Sequence, residues 1–155
     1  MDSEVKEQLM QEALIEAKKA WDLGEVPVGA VITDASLNII SRGHNQIESL
    51  NFSVAHAEIL AIKEASATLK NWRLNDCKLF VTLEPCVMCT GALVLSRISE
   101  IYFGCTDPRM GAAGSVFNLA NNQKLPHQIQ IQGGILETEC SLILKDFFKE
   151  IRKKE

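Results

Sequence analysis

A length of 155 residues with 46% apolar content is sufficient for one continuous core, so we expect a single domain over residues 1–155. The formal net charge of -4 argues against a generally basic nucleic-acid-binding protein. The first residues are acidic and polar, and no apolar run approaches the length of a membrane span. The sequence therefore predicts a cytoplasmic protein without a membrane segment.

Charged residues and cysteines are unevenly distributed along the chain. Residues 1–25 contain seven acidic and three basic side chains, whereas residues 145–155 contain five basic and three acidic ones. A basic helix end of this kind is most simply a solvated face, and by itself it does not indicate a nucleic-acid partner. The chain has five cysteines, an odd number, and only Cys86 and Cys89 are close in sequence. This pattern favours a metal or redox use over a disulfide framework.

Apolar periodicity predicts a chain of alternating helices and strands. Apolar residues repeated every three or four positions indicate helices, and short apolar runs bounded by turn residues indicate strands. In chain order we predict a helix over 5–21, strands over 28–33 and 38–42, a helix over 57–69, a strand over 78–82, a helix over 87–95, a strand over 100–103, a short helix over 116–121, a strand over 128–132 and a helix over 137–152. Ser3 is the expected N-cap of the first helix and Gly24 its end. The expected architecture is an α/β fold with helices on both faces of a five-stranded sheet.

Cys86 and Cys89 form a Cys-x-x-Cys pair directly after Pro85. If Pro85 opens a helix, both thiols project from the same side of its first turn and reach one ion. The positive end of the helix dipole also lowers a thiol pKa and favours the thiolates that bind metals. Taken alone, the pair is equally compatible with a metal half-site, a redox pair or an incidental spacing.

His56 and Glu58 are the expected second half of this site. Residues two apart in a regular helix point to nearly opposite sides, so these two converge only if His56 lies at the non-helical entry. The polar segment over residues 43–54, a candidate wall of the pocket, permits that arrangement. A redox pair has no use for either residue, whereas a catalytic metal needs both a nitrogen ligand and a proton carrier.

Three ligands, His56, Cys86 and Cys89, leave a tetrahedral Zn²⁺ with one open position, which is the arrangement of a catalytic site. One zinc ion per chain would lower the pKa of a bound water from about 15.7 to about 7 and produce a hydroxide nucleophile. Glu58 would move the protons, as hydrolytic deamination requires. The combined pattern is the signature of the zinc deaminases.

The other cysteines and histidines are not expected to bind the metal. Cys77, Cys105 and Cys140 are expected to be small buried hydrophobes. His127 is expected in a loop. His44 adjoins Asn45, and we expect it to be structural.

Long stretches of the chain resemble the bacterial tRNA-specific adenosine deaminases, from about Ala13 to Arg152. The matching stretches are Gly24 to Ala30, Ala55-His56-Ala57-Glu58, Val81 to Cys89, Gly91-Ala92, Ser96-Arg97-Ile98, Phe103-Gly104, Asp107, Gly111 to Ser115 and Phe147-Phe148. The His-Ala-Glu and Pro-Cys-x-x-Cys motifs alone mark only the wider cytidine-deaminase-like group, whose members also act on cytosine, cytidine and guanine. The longer stretches narrow the resemblance to the tRNA-specific adenosine deaminases. The resemblance implies a three-layer α/β/α cytidine-deaminase-like fold with a central five-stranded mixed sheet.

The same resemblance implies an activity and partners. Such an enzyme is a zinc-dependent homodimeric hydrolase that converts adenosine to inosine at the wobble position of a tRNA anticodon stem-loop, here of an arginine tRNA. Zinc-bound hydroxide would attack the purine carbon bearing the amino group, with Glu58 as proton shuttle. The implied substrate-binding residues are Asn45, Val26, Ala57, Leu83, Glu84 through its backbone, Asp107, Arg109, Phe148 and Arg152. By this resemblance, the basic C-terminal end would bind the phosphate backbone of the tRNA.

One departure from the family and two alternative functions remain. The family commonly has Asp-Pro-Thr where this chain has Phe52-Ser53-Val54, in the loop that borders the pocket. The acidic net charge would also suit a deaminase of a free base or nucleoside such as guanine or cytosine. A non-catalytic zinc-binding subunit that helps a partner hold tRNA is the alternative of another class, but a structural zinc does not need Glu58.

Overall fold

The computed structural model describes all 155 residues, which form four helices and five strands joined by loops. In chain order these are α1 (Ser3–Asp22), β1 (Gly29–Thr33), β2 (Ile39–His44), α2 (Ala57–Leu69), β3 (Lys78–Leu83), α3 (Val87–Leu95), β4 (Glu100–Cys105), β5 (Gln130–Gln132) and α4 (Glu137–Lys154). No helix combines the length and the apolar character that crossing a membrane demands.

The five strands form one mixed sheet in the order β2-β1-β3-β4-β5. Strand β1 is antiparallel to both β2 and β3, whereas β3, β4 and β5 run parallel to one another. Strands β3 and β4 are therefore joined by a parallel crossover through α3. Because β1 runs against its neighbours, its beginning and the ends of β2, β3 and β4 lie at the same edge of the sheet.

Helices cover both faces of the sheet, as the sequence predicted. Side chains alternate across a strand, so Leu79 and Val81 face one way and Phe80 the other. Leu79 and Val81 belong to a buried cluster with apolar residues of α2 and α3. Phe80 belongs to a second cluster with residues of α1 and α4, and its ring stacks on Tyr102 at 4.7 Å between centroids. The result is the three-layer α/β/α arrangement.

A close contact between β2 and the start of α2 positions the functional site. A Cβ atom at Gly43 would overlap the backbone carbonyl of Ala57, so only glycine permits this approach. The first turn of α2 is thereby held against the sheet at the edge where β2 ends.

Three local predictions were wrong. Asp2, not Ser3, caps α1, because its Oδ1 accepts a hydrogen bond from the backbone N–H of Val5 at 2.9 Å. Residues 116–121 form no helix, since bonds across the loop replace helical ones, as in the bridge between Ala113 and Asn118. Helix α3 begins at Val87 with Cys86 as its N-cap, so the proline precedes the helix rather than opening it.

Candidate active site

Two helix N-termini meet at the sheet edge described above and bring His56, Cys86 and Cys89 together. His56 is the N-cap of α2 with extended backbone (φ -74, ψ 155), the non-helical entry that the sequence required. Cys86 is the N-cap of α3 (φ -75, ψ 178), and Cys89 lies three residues later in its first turn. Both cap residues have extended backbone because each lies where the polypeptide leaves non-helical structure and enters a helix.

The three side chains have the geometry of a metal site. The Nδ1 atom of His56 lies 3.6 Å from the sulfur of Cys86 and 3.5 Å from that of Cys89. Zinc bonds of about 2.0–2.1 Å to nitrogen and about 2.3 Å to sulfur, meeting at a tetrahedral angle, separate those atoms by about 3.5 Å. All three ligand atoms lie within 4.8 Å of one another. The donor set fits one zinc ion per chain and leaves one coordination position for a non-protein ligand.

The two thiols are electrostatically matched to a cation. The hydrogen bond from Cys89, together with that from His56, outweighs burial and lowers the pKa of the Cys86 thiol to about 4. The same contact with Cys86 raises the pKa of Cys89. The pair therefore carries a thiolate at neutral pH, and the thiolate is the form of cysteine that binds metals.

Glu58 lies in the first turn of α2 and is only 4% exposed. Burial raises the pKa of its carboxyl group to about 7. Because His56 has left the helical path, both side chains line the same cavity despite being two residues apart. A carboxyl group with a pKa near neutrality exists in both protonation states, which is the requirement for general acid–base chemistry.

The cavity beside the ligand cluster contains most of the site residues that the sequence predicted. It is lined by nine of them, Val26, Asn45, His56, Ala57, Glu58, Leu83, Glu84, Cys86 and Asp107, together with Val28 and Ile47. Sequence reasoning missed Val28 and Ile47. Val28 lay in the recognised stretch before β1, but Ile47 is an isolated apolar residue in a polar loop and gave no periodic signal.

Asn45 joins two walls of this cavity. Its side-chain Nδ2 donates to the carbonyl of Val26 at 3.2 Å, and its Oδ1 accepts from the backbone N–H of Ile47 at 3.4 Å. One N–H and one oxygen lone pair of the amide remain for a ligand. Asn45 is 7% exposed, so its amide is held in one orientation at the pocket.

Glu25 is a buried carboxylate that the sequence did not single out. It accepts hydrogen bonds from the backbone N–H groups of Glu48 and Ser49 and from the Ser49 hydroxyl, which fixes the loop carrying Ile47. Burial alone would raise the pKa of Glu25, but these bonds outweigh it and lower the pKa.

Glu84 lines the pocket, and its backbone and its side chain have different partners. The resemblance implied a substrate contact through its backbone. The N–H group of Glu84 donates to the carbonyl of Cys105 at 2.9 Å, so this contact would come from the backbone carbonyl of Glu84. Its carboxylate is buried and binds the loop after β4. The side chain of Glu84 therefore helps to organise the wall of the pocket.

Three residues expected to contact the RNA, Arg109, Phe148 and Arg152, lie outside the cavity. Arg109 and Arg152 are exposed, and Phe148 is 42% exposed on α4 with its ring edge-on to that of Phe147. Phe52, at the departure from the family, is 52% exposed.

The residues expected to be structural lie away from the ligand cluster. Cys77, Cys105 and Cys140 are all buried, as expected. His44 contacts Glu16 at 3.1 Å, and the loop residue His127 bonds the carbonyl of Ile98 at 2.6 Å.

Comparison with known proteins identifies close relatives. Residues 3–105 match the family described as the cytidine and deoxycytidylate deaminase zinc-binding region. A tRNA-specific adenosine deaminase of Bacillus subtilis (strain 168) is 49% identical over 146 residues, covering 94% of this chain and 90% of the relative. Another, from Aquifex aeolicus (strain VF5), is 48% identical over 147 residues, covering 95% and 96%. A solved structure from a study of A-to-I editing by tRNA:A34 deaminases at the wobble position of transfer RNA matches with a TM-score of 0.84 and 38% identity, covering 88% of this chain and 99% of that one.

Proposed function

This chain belongs to the tRNA-specific adenosine deaminases within the cytidine and deoxycytidylate deaminase family, and we propose that it edits the wobble adenosine of an arginine tRNA to inosine. The reaction is hydrolytic, with water as the co-substrate and ammonia as the second product. The observation that carries the mechanism is the buried Glu58 carboxyl beside a three-ligand metal site with one free coordination position.

His56, Cys86 and Cys89 would hold the zinc. When bound there, zinc supplies a Lewis acid that lowers the pKa of a coordinated water. Glu58 would accept one proton from the attacking water on a carboxylate oxygen and pass it to the purine ring nitrogen as the new C–O bond forms. It would then carry the second proton from the resulting hydroxyl group to the amino group, which leaves as ammonia when the C–N bond breaks. Its raised pKa, about 7, suits both steps, because the group gives up and takes up a proton at neutral pH with little driving force either way.

The walls of the pocket orient the base. The free N–H and lone pair of the Asn45 amide bind the flipped nucleoside, while the apolar side chains of Val26 and Leu83 pack against it. Extruding a base from a stack costs a few kcal/mol, and this cost is smallest in a loop that is already single-stranded. An anticodon loop is therefore a suitable substrate.

Residues around the mouth of the pocket and on α4 would bind the RNA backbone. Asp107 lines the pocket, and exposed Arg109 follows it in the same loop. Helix α4 ends with Arg152, Lys153 and Lys154 and carries exposed Phe148, which offers a stacking surface. Local basic charge of this kind binds phosphates even when the net charge of the chain is negative.

We also assign a homodimer and a cytoplasmic location. Support for the dimer comes from Val87 and Leu95, exposed apolar residues at the two ends of α3, of which Leu95 is 69% exposed. Analytical ultracentrifugation tests this assignment, because a monomer at micromolar concentration contradicts it. The tRNA substrate supports the cytoplasmic location.

The function is tested by offering the zinc-loaded protein several substrates side by side. These are an arginine anticodon stem-loop with wobble adenosine, the same stem-loop with wobble cytidine, and free guanine, cytosine and cytidine. We expect inosine and one ammonia per inosine from the first substrate alone. Ammonia from guanine or cytosine instead would establish the free-base alternative, and no ammonia from any substrate would favour the non-catalytic subunit.

A further inference from the structure

The loop between β4 and residue 116 is folded around one carboxylate. Glu84 follows β3 directly and is 1% exposed. Its Oε1 accepts from the backbone N–H of Asp107 at 3.1 Å and from the Ser115 hydroxyl at 2.5 Å. Its Oε2 accepts from the backbone N–H groups of Ala113 and Ser115, at 3.0 and 3.1 Å. Every donor to this carboxylate belongs to the same loop.

No lysine, arginine or histidine forms an ion pair with Glu84. Its negative charge is compensated by three backbone N–H groups and one hydroxyl. Bonds from such donors to an ionised acceptor are stronger than bonds between neutral groups. A buried charge without these bonds is costly, so the loop cannot detach without exposing Glu84 to water or leaving its charge uncompensated.

The loop also packs closely against the Glu84 carboxylate. A Cβ atom at Gly111 would overlap the Glu84 carboxylate and the Ser115 hydroxyl. Gly111 forms a bridge with Cys86, and the N–H of Ala112 donates to the carbonyl of Pro85 at 2.9 Å. The loop is thus packed against the segment that presents a metal ligand.

The first residues of this loop border the pocket. Asp107 lines the cavity, Arg109 is exposed, and Met110 is 47% exposed. One carboxylate oxygen of Asp107 is fixed within the loop, because Oδ1 accepts from the backbone N–H groups of Arg109 and Met110. The carboxylate of Glu84 therefore determines where these three residues stand relative to the metal ligands.

We propose that Glu84 is a positioning residue whose carboxylate holds residues 107–115 over the pocket, so that Asp107 and Arg109 meet the RNA substrate. This role rests on the proposed tRNA-editing function. It concerns substrate binding and does not involve proton transfer to the reacting base.

The test is Glu84→Gln in the zinc-loaded protein. Glutamine keeps the volume but replaces one acceptor oxygen with an NH₂ group that faces loop donors. We expect the backbone amides of Asp107, Ala113 and Ser115 to exchange hydrogen about tenfold faster or more, while zinc content stays at one per chain. The KM for the anticodon stem-loop rises about tenfold or more, kcat changes less, and the salt dependence of binding becomes shallower as the Arg109 contact is lost.

Two further variants separate this role from general structural damage. Glu25→Gln is the matched control, because it weakens the loop on the other side of the pocket; it should speed exchange at Glu48 and Ser49 and leave residues 107–115 protected. Ser115→Ala removes the hydroxyl donor without altering Glu84, and it should loosen the same loop to a smaller extent. If the Glu84→Gln protein does not fold, Ser115→Ala takes its place in the test.

Unchanged loop exchange together with an unchanged KM would overturn the proposal. A fall in kcat with loop protection and KM unchanged would also overturn it, because Glu84 would then act on the reacting base. If the wild-type protein deaminates no stem-loop, the proposed function fails. The exchange result in Glu84→Gln then still decides whether the carboxylate holds the loop.

Discussion

The Glu25 carboxylate accepts hydrogen bonds from both the backbone N–H and the hydroxyl of Ser49, at 2.7 and 2.6 Å. A third bond comes from the backbone of Glu48 at 3.1 Å. Glu84 makes the corresponding contacts with the loop after β4. Two buried carboxylates thus hold two loops that border one pocket.

Glu25→Gln should destabilise the fold in a pH-dependent way. The folded-state pKa of Glu25 is lowered, so its ionised form stabilises the fold above the ordinary glutamate pKa of about 4.3, and this contribution is lost as pH falls through the folded pKa. Urea unfolding should show the variant about 1–3 kcal/mol less stable near neutral pH, with the difference shrinking below about pH 4. A difference that is constant with pH would contradict this assignment.

Glu58→Gln should slow turnover by orders of magnitude while leaving the metal site intact. Removing a positioned general acid–base group costs about 10²- to 10⁴-fold in rate, and the substitution preserves the size of the side chain. Glu64→Gln, an exposed carboxylate on the same helix, is the matched control and should retain wild-type activity. Single-turnover rates and zinc content by mass spectrometry check both variants. Full activity in Glu58→Gln would rule out the proton shuttle.

Cys89→Ala should lose zinc and activity together. Removing a thiolate leaves two protein ligands, which hold the dication far more weakly than three. We expect metal content to fall from about one ion per chain to near zero after dialysis against a chelator. Cys77→Ala, at a buried cysteine outside the ligand cluster, should keep its zinc. Equal zinc content in the two variants would show that Cys89 is not a ligand.

Asn45→Ala should impair substrate binding rather than zinc binding. The variant loses the amide that binds the nucleoside and also the bonds to Val26 and Ile47 that shape the pocket. Losses of about 1–3 kcal/mol correspond to a fall in kcat/KM of roughly 5- to 150-fold. Asn38→Ala, at the turn before β2 and therefore at the other end of that strand, should leave kcat/KM unchanged. A normal kcat/KM in Asn45→Ala would exclude a role in substrate recognition.

Arg152→Ala should weaken stem-loop binding in a salt-dependent manner. Loss of one phosphate contact reduces the slope of log affinity against log salt by about 0.7 to 0.9. Lys18→Ala is the control, because Lys18 lies on α1 and pairs with Asp22 at 3.2 Å. Fluorescence anisotropy at several salt concentrations measures both slopes. An identical slope in Arg152→Ala and wild type would remove Arg152 from the RNA interface.

The chemistry of the metal site follows from local sequence spacing. Cys86 and Cys89 are three residues apart at a helix start, and this spacing alone places two sulfurs on one side of a turn. The same kind of pattern predicted α2 from Ala57 to Leu69 with the bounds that the structure has. Such features are predictable because helix geometry relates residues that are near neighbours in the chain.

The sequence by itself thus determined the four helices that the structure has, although it also predicted a helix over 116–121 that does not form, together with the sheet strands to within a few residues, the metal-ligand set and the family. Only the tertiary structure decided which side chains hold the pocket in shape. Glu84 bonds residues 23 to 31 positions away, and Glu25 bonds residues 23 and 24 positions away. Their partners are mainly backbone N–H groups, which almost every residue carries, so no pattern of side chains reveals the pairing before the loops are folded.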